Sequence, residues 1–357
     1  MDNVLSTPGV VRRNNMKDNF FEKAEKYRQQ AEYAKAIVLY KKALTAFRKD
    51  SDVQGILDCH LCLGDTFRAK GDFISAKTHY DEGLALAESL DEYYAAADAL
   101  TGLGLSVRAL GNWRDAMACI NRAFRMYGTI HDRRGKVFAL WARAGTFRIK
   151  GDVKKAVQTF YEALEGFRAL RDRSGMAYSY CGLGGSSRVA CRFDDSEKYY
   201  RMANRMFERL QDRFGLAYSY CGLGNARRMH GDYKKALDYF RKAEALYKKI
   251  GDRVSYAYTL WSVGTTYKML GEADKARKSF LESAAFFKET KDPRGIVYCN
   301  QGIGELDYLE GKKKKGIDAF VKSAQLADKY DFRLEKKYAR TLLENARRNT
   351  GFPVNLP

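Results

Sequence analysis

Residues Ala217–Ala243 read AYSYCGLGNARRMHGDYKKALDYFRKA, and their spacing decides the fold. After Gly231 come a small residue, Ala236, a large one, Phe240, and a small one, Ala243. Steps of four and three place all three on one face of a helix, where the small residues admit a neighbouring helix and the ring fills the gap. Before Gly231 a second helical pattern carries Gly224 at its middle. Glycine costs about 1 kcal/mol relative to alanine inside a helix, so its presence implies close helix contact at that register. Gly231 ends this helix by taking the left-handed conformation at low cost. The stretch is a helical hairpin.

Outward from it, the hairpin recurs every 40 residues without insertion, with turns at Ala31, Gly71, Gly111, Gly151, Cys191, Gly231, Gly271, Gly311 and Gly351. Ala31 and Cys191 lack glycine's freedom, which predicts less sharp turns there. The large position of the second helix reads Tyr40, Tyr80, Ile120, Phe160, Tyr200, Phe240, Phe280 and Phe320. The mid-helix small position reads Gly64, Gly104, Ala144, Gly184, Gly224, Gly264 and Gly304. Asp52, Glu92, Asp132, Asp172, Asp212, Asp252 and Asp292 mark the start of each first helix, where a carboxylate caps free amides and opposes the dipole. Helices of about 16 to 18 residues follow, and no strand pattern appears.

These residues resemble the tetratricopeptide repeat, with its large, Leu, Gly and Tyr positions in the first helix and Ala, Phe, Ala in the second. The 40-residue period is most similar to the long-helix subgroup of Pins-type adaptors and bacterial scaffold proteins. The resemblance implies an all-α, right-handed superhelical α-solenoid: eight repeats over residues 16–330, a capping helix over 331–350, a tail at 351–357 and a flexible arm at 1–15. Departures are Arg143 in place of Leu, Arg227 and Asp307 at the Tyr position, and Glu344 in place of Gly in the final helix.

Composition narrows the function. The 357 residues hold 64 Lys and Arg against 44 Asp and Glu, a net charge of +20, with 13% aromatics and only 4 Pro. The isoelectric point is about 9.5 and the mean hydropathy −0.51. The chain can bury a continuous core and has almost no forced helix interruption. Met1–Met16 lacks the apolar run of a signal peptide, and Ala95–Leu110, broken by Asp98 and Arg108, is too short to span a bilayer. A cytoplasmic protein is expected. Seven cysteines, an odd count, suit reduced thiols, and Cys59 with Cys62 has no partnering pair for a zinc site. His60, His79, His131 and His230 show no metal spacing, and no nucleophile elbow or phosphate loop is present, so neither catalysis, metal nor cofactor is expected.

Helix geometry assigns positions 58, 61, 62, 65, 68 and 69 of each copy to the sector opposite the packed face. By resemblance to the family, that sector lines the concave surface. The equivalents of residue 68 are Arg28, Arg68, Arg108, Arg148, Arg188, Arg228, Lys268, Tyr308 and Arg348. Stacked helices would space them by about 10 Å. Beside this ladder lie Tyr178, Tyr218, Tyr258 and Tyr298, the tryptophans Trp141 and Trp261, and Asn225. A cation in a helix's last turn also satisfies terminal carbonyls, and a half-buried Tyr also serves a core, so both columns have a purely structural reading. The functional reading is a scaffold whose groove binds an acidic peptide or helical segment, Arg pairing with carboxylate through its planar fork. The alternative is RNA or single-stranded nucleic acid, which the basic stripe and interleaved aromatics suit and Asp58, Asp65, Asp98 and Glu305 oppose. The carboxylate clamp of chaperone-binding members is missing, since Asp18, Phe21, Glu22 and Glu25 stand at its positions. Lys312–Lys315 reads as a solvated basic surface.

Overall fold

A computed structural model describes residues 16–357, and the arm expected at 1–15 lies outside the described residues. The described residues form seventeen α-helices and no strand: α1 (Met16–Gln29), α2 (Tyr33–Lys49), α3 (Val53–Lys70), α4 (Phe73–Ser89), α5 (Tyr93–Ala109), α6 (Trp113–Thr129), α7 (Arg133–Lys150), α8 (Val153–Ala169), α9 (Arg173–Val189), α10 (Phe193–Leu210), α11 (Arg213–Met229), α12 (Tyr233–Ile250), α13 (Arg253–Met269), α14 (Ala273–Glu289), α15 (Pro293–Leu309), α16 (Lys313–Lys329) and α17 (Arg333–Arg348). Two compact units divide them. The first takes the described part of Met1–Arg143 with Glu165–Gly175, and the second takes Ala144–Leu164 with Met176–Pro357.

The caps follow the sequence. Asp52, Asp132, Asp172, Asp212, Asp252 and Asp292 each accept a hydrogen bond from the backbone N–H three residues on, at 2.8 to 3.0 Å. Glu92, with its longer side chain, makes no such bond. The turns differ from expectation. Ala31 (φ 58°) and Cys191 (φ 59°) take the same left-handed conformation as the glycines, so they turn as sharply. The hydrogen bonds Ala31 N–H to Arg28 O, 3.0 Å, and Cys191 N–H to Arg188 O, 2.9 Å, hold them there against a cost of about 1 to 2 kcal/mol.

The small positions do admit close packing. Tyr200 lies between two glycines: a Cβ on Gly184 would stand 2.8 Å from its ring, and one on Gly222 of the next hairpin 2.1 Å. Tyr80 is held alike by Gly64 and Gly102, and Phe280 by Gly264 and Gly302. Each of these three rings thus joins its own hairpin to the next, which is how neighbouring copies that cannot bury a core alone share one. The departures become ion pairs and a cation–ring contact: Arg227 pairs with Glu197, Asp307 with Arg277 and Lys315, and Arg143 lies 4.7 Å over Phe124. In α17, Tyr338, Leu342 and Ala346 are buried along one face. No helix of the described residues is long and apolar enough to cross a membrane.

Candidate functional site

The basic column ends each first helix of a hairpin, where the fold places it one turn before the left-handed residue. In the first unit Arg28 and Arg68 are paired with acids on their own helices. Arg28 donates through Nε and Nη2 to Glu25, at 3.1 and 2.8 Å, and Glu25 also accepts from Tyr40. Arg68 pairs with Asp65 at 3.2 Å and donates to Tyr80 Oη, while Arg108 donates to the Ala142 carbonyl at 3.1 Å. Trp141 stacks on Phe138, centroids 5.8 Å apart.

The second unit is built differently. Glycine stands three residues before Arg148 and Arg188, at Gly145 and Gly185, where Glu25 and Asp65 stand in the first unit. No carboxylate pairs with Arg148, Arg188 or Arg228 among the described residues, and Arg148 Nε and Arg188 Nε and Nη1 are buried without a hydrogen-bond partner. Arg148 lies over Gly185, whose added Cβ would meet its Nη1 at 2.6 Å. Arg228 is fully buried, donates to Asn225 Oδ1 at 3.1 Å and lies 5.8 Å from the Trp261 ring. Burial, with the neighbouring Arg188 charge, pulls its guanidinium down to about 9. Lys268 forms a buried ion pair with Glu305.

The tyrosine column serves packing between hairpins. The Tyr178 hydroxyl donates to the capping carboxylate of Asp212 at 2.8 Å, and that of Tyr258 to Asp292 at 2.9 Å. Their rings meet Phe207 and Phe287 edge-on. Tyr298 donates to Glu335, which also holds Arg294, and Tyr218 stacks on Phe214. Trp261 is buried against Tyr298 at 4.8 Å.

Sequence reasoning missed what meets the column at its far end. After α17 the chain turns back, and Phe352 packs against Tyr308 and Phe320. The Val354 N–H donates to Glu305 Oε2 at 3.0 Å, and the Val354 carbonyl accepts from Lys268 at 2.8 Å. Arg228 donates Nη2 to the Leu356 carbonyl at 2.9 Å and Nη1 to the Asn355 side-chain oxygen, while Asn355 Nδ2 donates to the Arg228 carbonyl at 3.0 Å. The Leu356 side chain is buried in a cluster with Trp261, Tyr298 and Tyr338.

The hairpin of α3 and α4 also gathers His60, His79 and Glu82, with one ligand-type atom of each within 4.8 Å of the others. Residues of this kind can hold a metal ion, which the 19-residue histidine spacing does not reveal. Here they satisfy one another: Arg48 approaches His60 Nε2 at 3.4 Å, leaving Nδ1 to face Glu82 at 2.9 Å. Burial pulls both imidazoles down to about 4. The seven cysteines are free thiols, with Cys59 buried and Cys62 partly so.

Two segments, residues 56–129 and 175–249, match the family model described as tetratricopeptide repeat. The paired helices described above continue the same helical-repeat fold through the rest of the described residues. Its fold is similar to that of a Rap protein complexed with competence and sporulation factor: 15% identity, 93% of this chain and 98% of that one covered, TM-score 0.60. It is similar also to the Rap conjugation gene regulator of the plasmid pLS20 in complex with the Phr* peptide: 16% identity, 95% and 98% covered, TM-score 0.64. The apo form of RapI aligns at 16% identity over 82% of this chain and 97% of that one, TM-score 0.54. No curated protein matches.

Proposed function

We propose that the chain is a protein-interaction scaffold whose second unit binds an acidic peptide segment of a partner at Arg148 and Arg188. The observation that carries this reading is the pair of guanidinium groups with buried N–H donors and no carboxylate among the described residues. On these half-buried side chains the enclosed N–H donors have no acceptor, and a ligand carboxylate would satisfy both the charge and the fork of donors. A structure similar in fold holds the Phr* peptide, which agrees with a peptide ligand. The acids set against a nucleic acid at the sequence level weigh less in the structure, because Asp65 and Glu305 are paired with cations and burial raises Asp98 to about 7.

The test is fluorescence anisotropy with a labelled glutamate-rich peptide and with labelled oligouridylate, each at low and high salt. Peptide affinity should fall at least roughly a hundredfold, about 2.7 kcal/mol, in the Arg148→Glu, Arg188→Glu double variant with unchanged helical circular dichroism. Equal affinity for the two chains defeats the proposal. Tight oligouridylate binding that collapses with salt, with no peptide binding, would replace it with the nucleic-acid reading.

A further inference from the structure

The tail lies on the second unit in a regular way. Phe352 meets Tyr308, Val354 meets Lys268, and Leu356 meets Arg228. Those three partners are successive members of one column, 40 residues apart, so the tail runs back along the column two residues per hairpin. Two residues of extended chain reach about 7 Å, comparable to the 8 to 10 Å separation of packed helices. The contacts are those of a recognised peptide. Main-chain N–H and C=O are bonded at Val354, one amide side chain is read at two points, and one apolar side chain is buried. The next members of the column are Arg188, with Nε and Nη1 buried and unpartnered, and Arg148, with Nε in the same state.

We infer that residues 352–356 are an intramolecular occupant of the peptide site, filling its Lys268 and Arg228 positions, and that a partner peptide bearing an amide and then an apolar residue, as in Asn355–Leu356, enters by displacing them. This rests on the peptide-binding reading and adds both the sequence requirement and a built-in competitor. The physical basis is that Arg228 is fully buried yet meets only neutral oxygens, from Asn225, Asn355 and Leu356. A short tether presents the tail at an effective concentration of order millimolar, so a free ligand must compete with it.

The experiment uses the full chain and a labelled heptapeptide with the sequence of Gly351–Pro357. One variant carries Val354→Gly, Asn355→Gly and Leu356→Gly, keeping Phe352 against Tyr308 and Phe320. It should take up the heptapeptide at least tenfold more tightly than the unaltered chain, with circular dichroism unchanged. Should that variant lose its helical signal, Asn355→Ala alone makes the same test, with a smaller gain expected. Equal uptake by the unaltered and altered chains, or none by either, overturns the inference. The two readings fail separately. Heptapeptide uptake released by the tail variant, with no glutamate-rich peptide bound by any form, sustains self-occupancy and removes the acidic-ligand proposal. Glutamate-rich binding that depends on Arg188, with the heptapeptide never entering, does the reverse.

Discussion

Arg28 and Arg68 in the first unit and Arg148 and Arg188 in the second occupy one position of one repeat, yet their electrostatic states are opposite. The first pair is neutralised by Glu25 and Asp65, three residues earlier on the same helix. The second faces Gly145 and Gly185 at that spacing and has no carboxylate among the described residues. A row of like charges therefore says little about binding until the residue one turn back is read with it, because an i, i+3 acid turns a recognition group into a structural one.

That contrast can be broken from either side. The largest effect is expected in the first unit. Glu25→Ala strands a mostly buried Arg28 and the Tyr40 hydroxyl and should cost about 3 kcal/mol of stability, read as a lower urea midpoint. An unchanged midpoint would show that the pairing contributes nothing. In the second unit, Gly185→Glu installs the missing acid. Its Cβ would meet the flexible end of Arg148 at 2.6 Å and the Tyr200 hydroxyl at 3.1 Å, so with small shifts of both the fold should survive while glutamate-rich peptide binding weakens about tenfold, or 1.4 kcal/mol. Undiminished binding would separate recognition from Arg188.

A smaller effect concerns another shared register. His60 and His79 stand where the second unit stacks Tyr180 on Tyr199 and Tyr220 on Tyr239. His60 and His79 face Glu82, Arg48, Lys41 and the Phe67 ring, and burial holds them near 4 against an ordinary 6.5. Proton binding is thus weaker in the folded state. The stabilisation is complete above pH 6.5 and is lost as pH falls from there toward 4. His60→Tyr with His79→Tyr should flatten this part of the melting-temperature profile, and a profile that keeps its slope would assign the loss elsewhere.

The period, the aspartate caps and the small–large–small face were legible because each is a local demand of a helix end or of a close helix contact. The left-handed residues between hairpins, Ser51, Asp91, His131, Arg171, Gln211 and Lys291, were not. Their conformation is imposed by backbone hydrogen bonds from the preceding helix, such as Asp52 N–H to Phe47 O, so residue type leaves no signal. At the site, the basic column was visible and its neutralisation could have been read from Glu25 and Asp65. The tail contacts could not, since Asn355 and Arg228 are separated by 127 residues with no local pattern joining them.

From Ala31 to Asp331 a left-handed residue falls every twenty positions, at helix–helix junctions of nearly uniform length. Such junctions have no slack. One inserted residue would rotate the following helix by about 100° and carry its aromatic anchor off the glycine pair that receives it. Excising a whole forty-residue copy disturbs no junction, but where that copy carries Arg228, Lys268 or Tyr308 it brings the tail up against a different set of partners. Length changes in this chain are therefore best accommodated in whole steps, and a step taken among the last three hairpins resets which side chains the tail can reach.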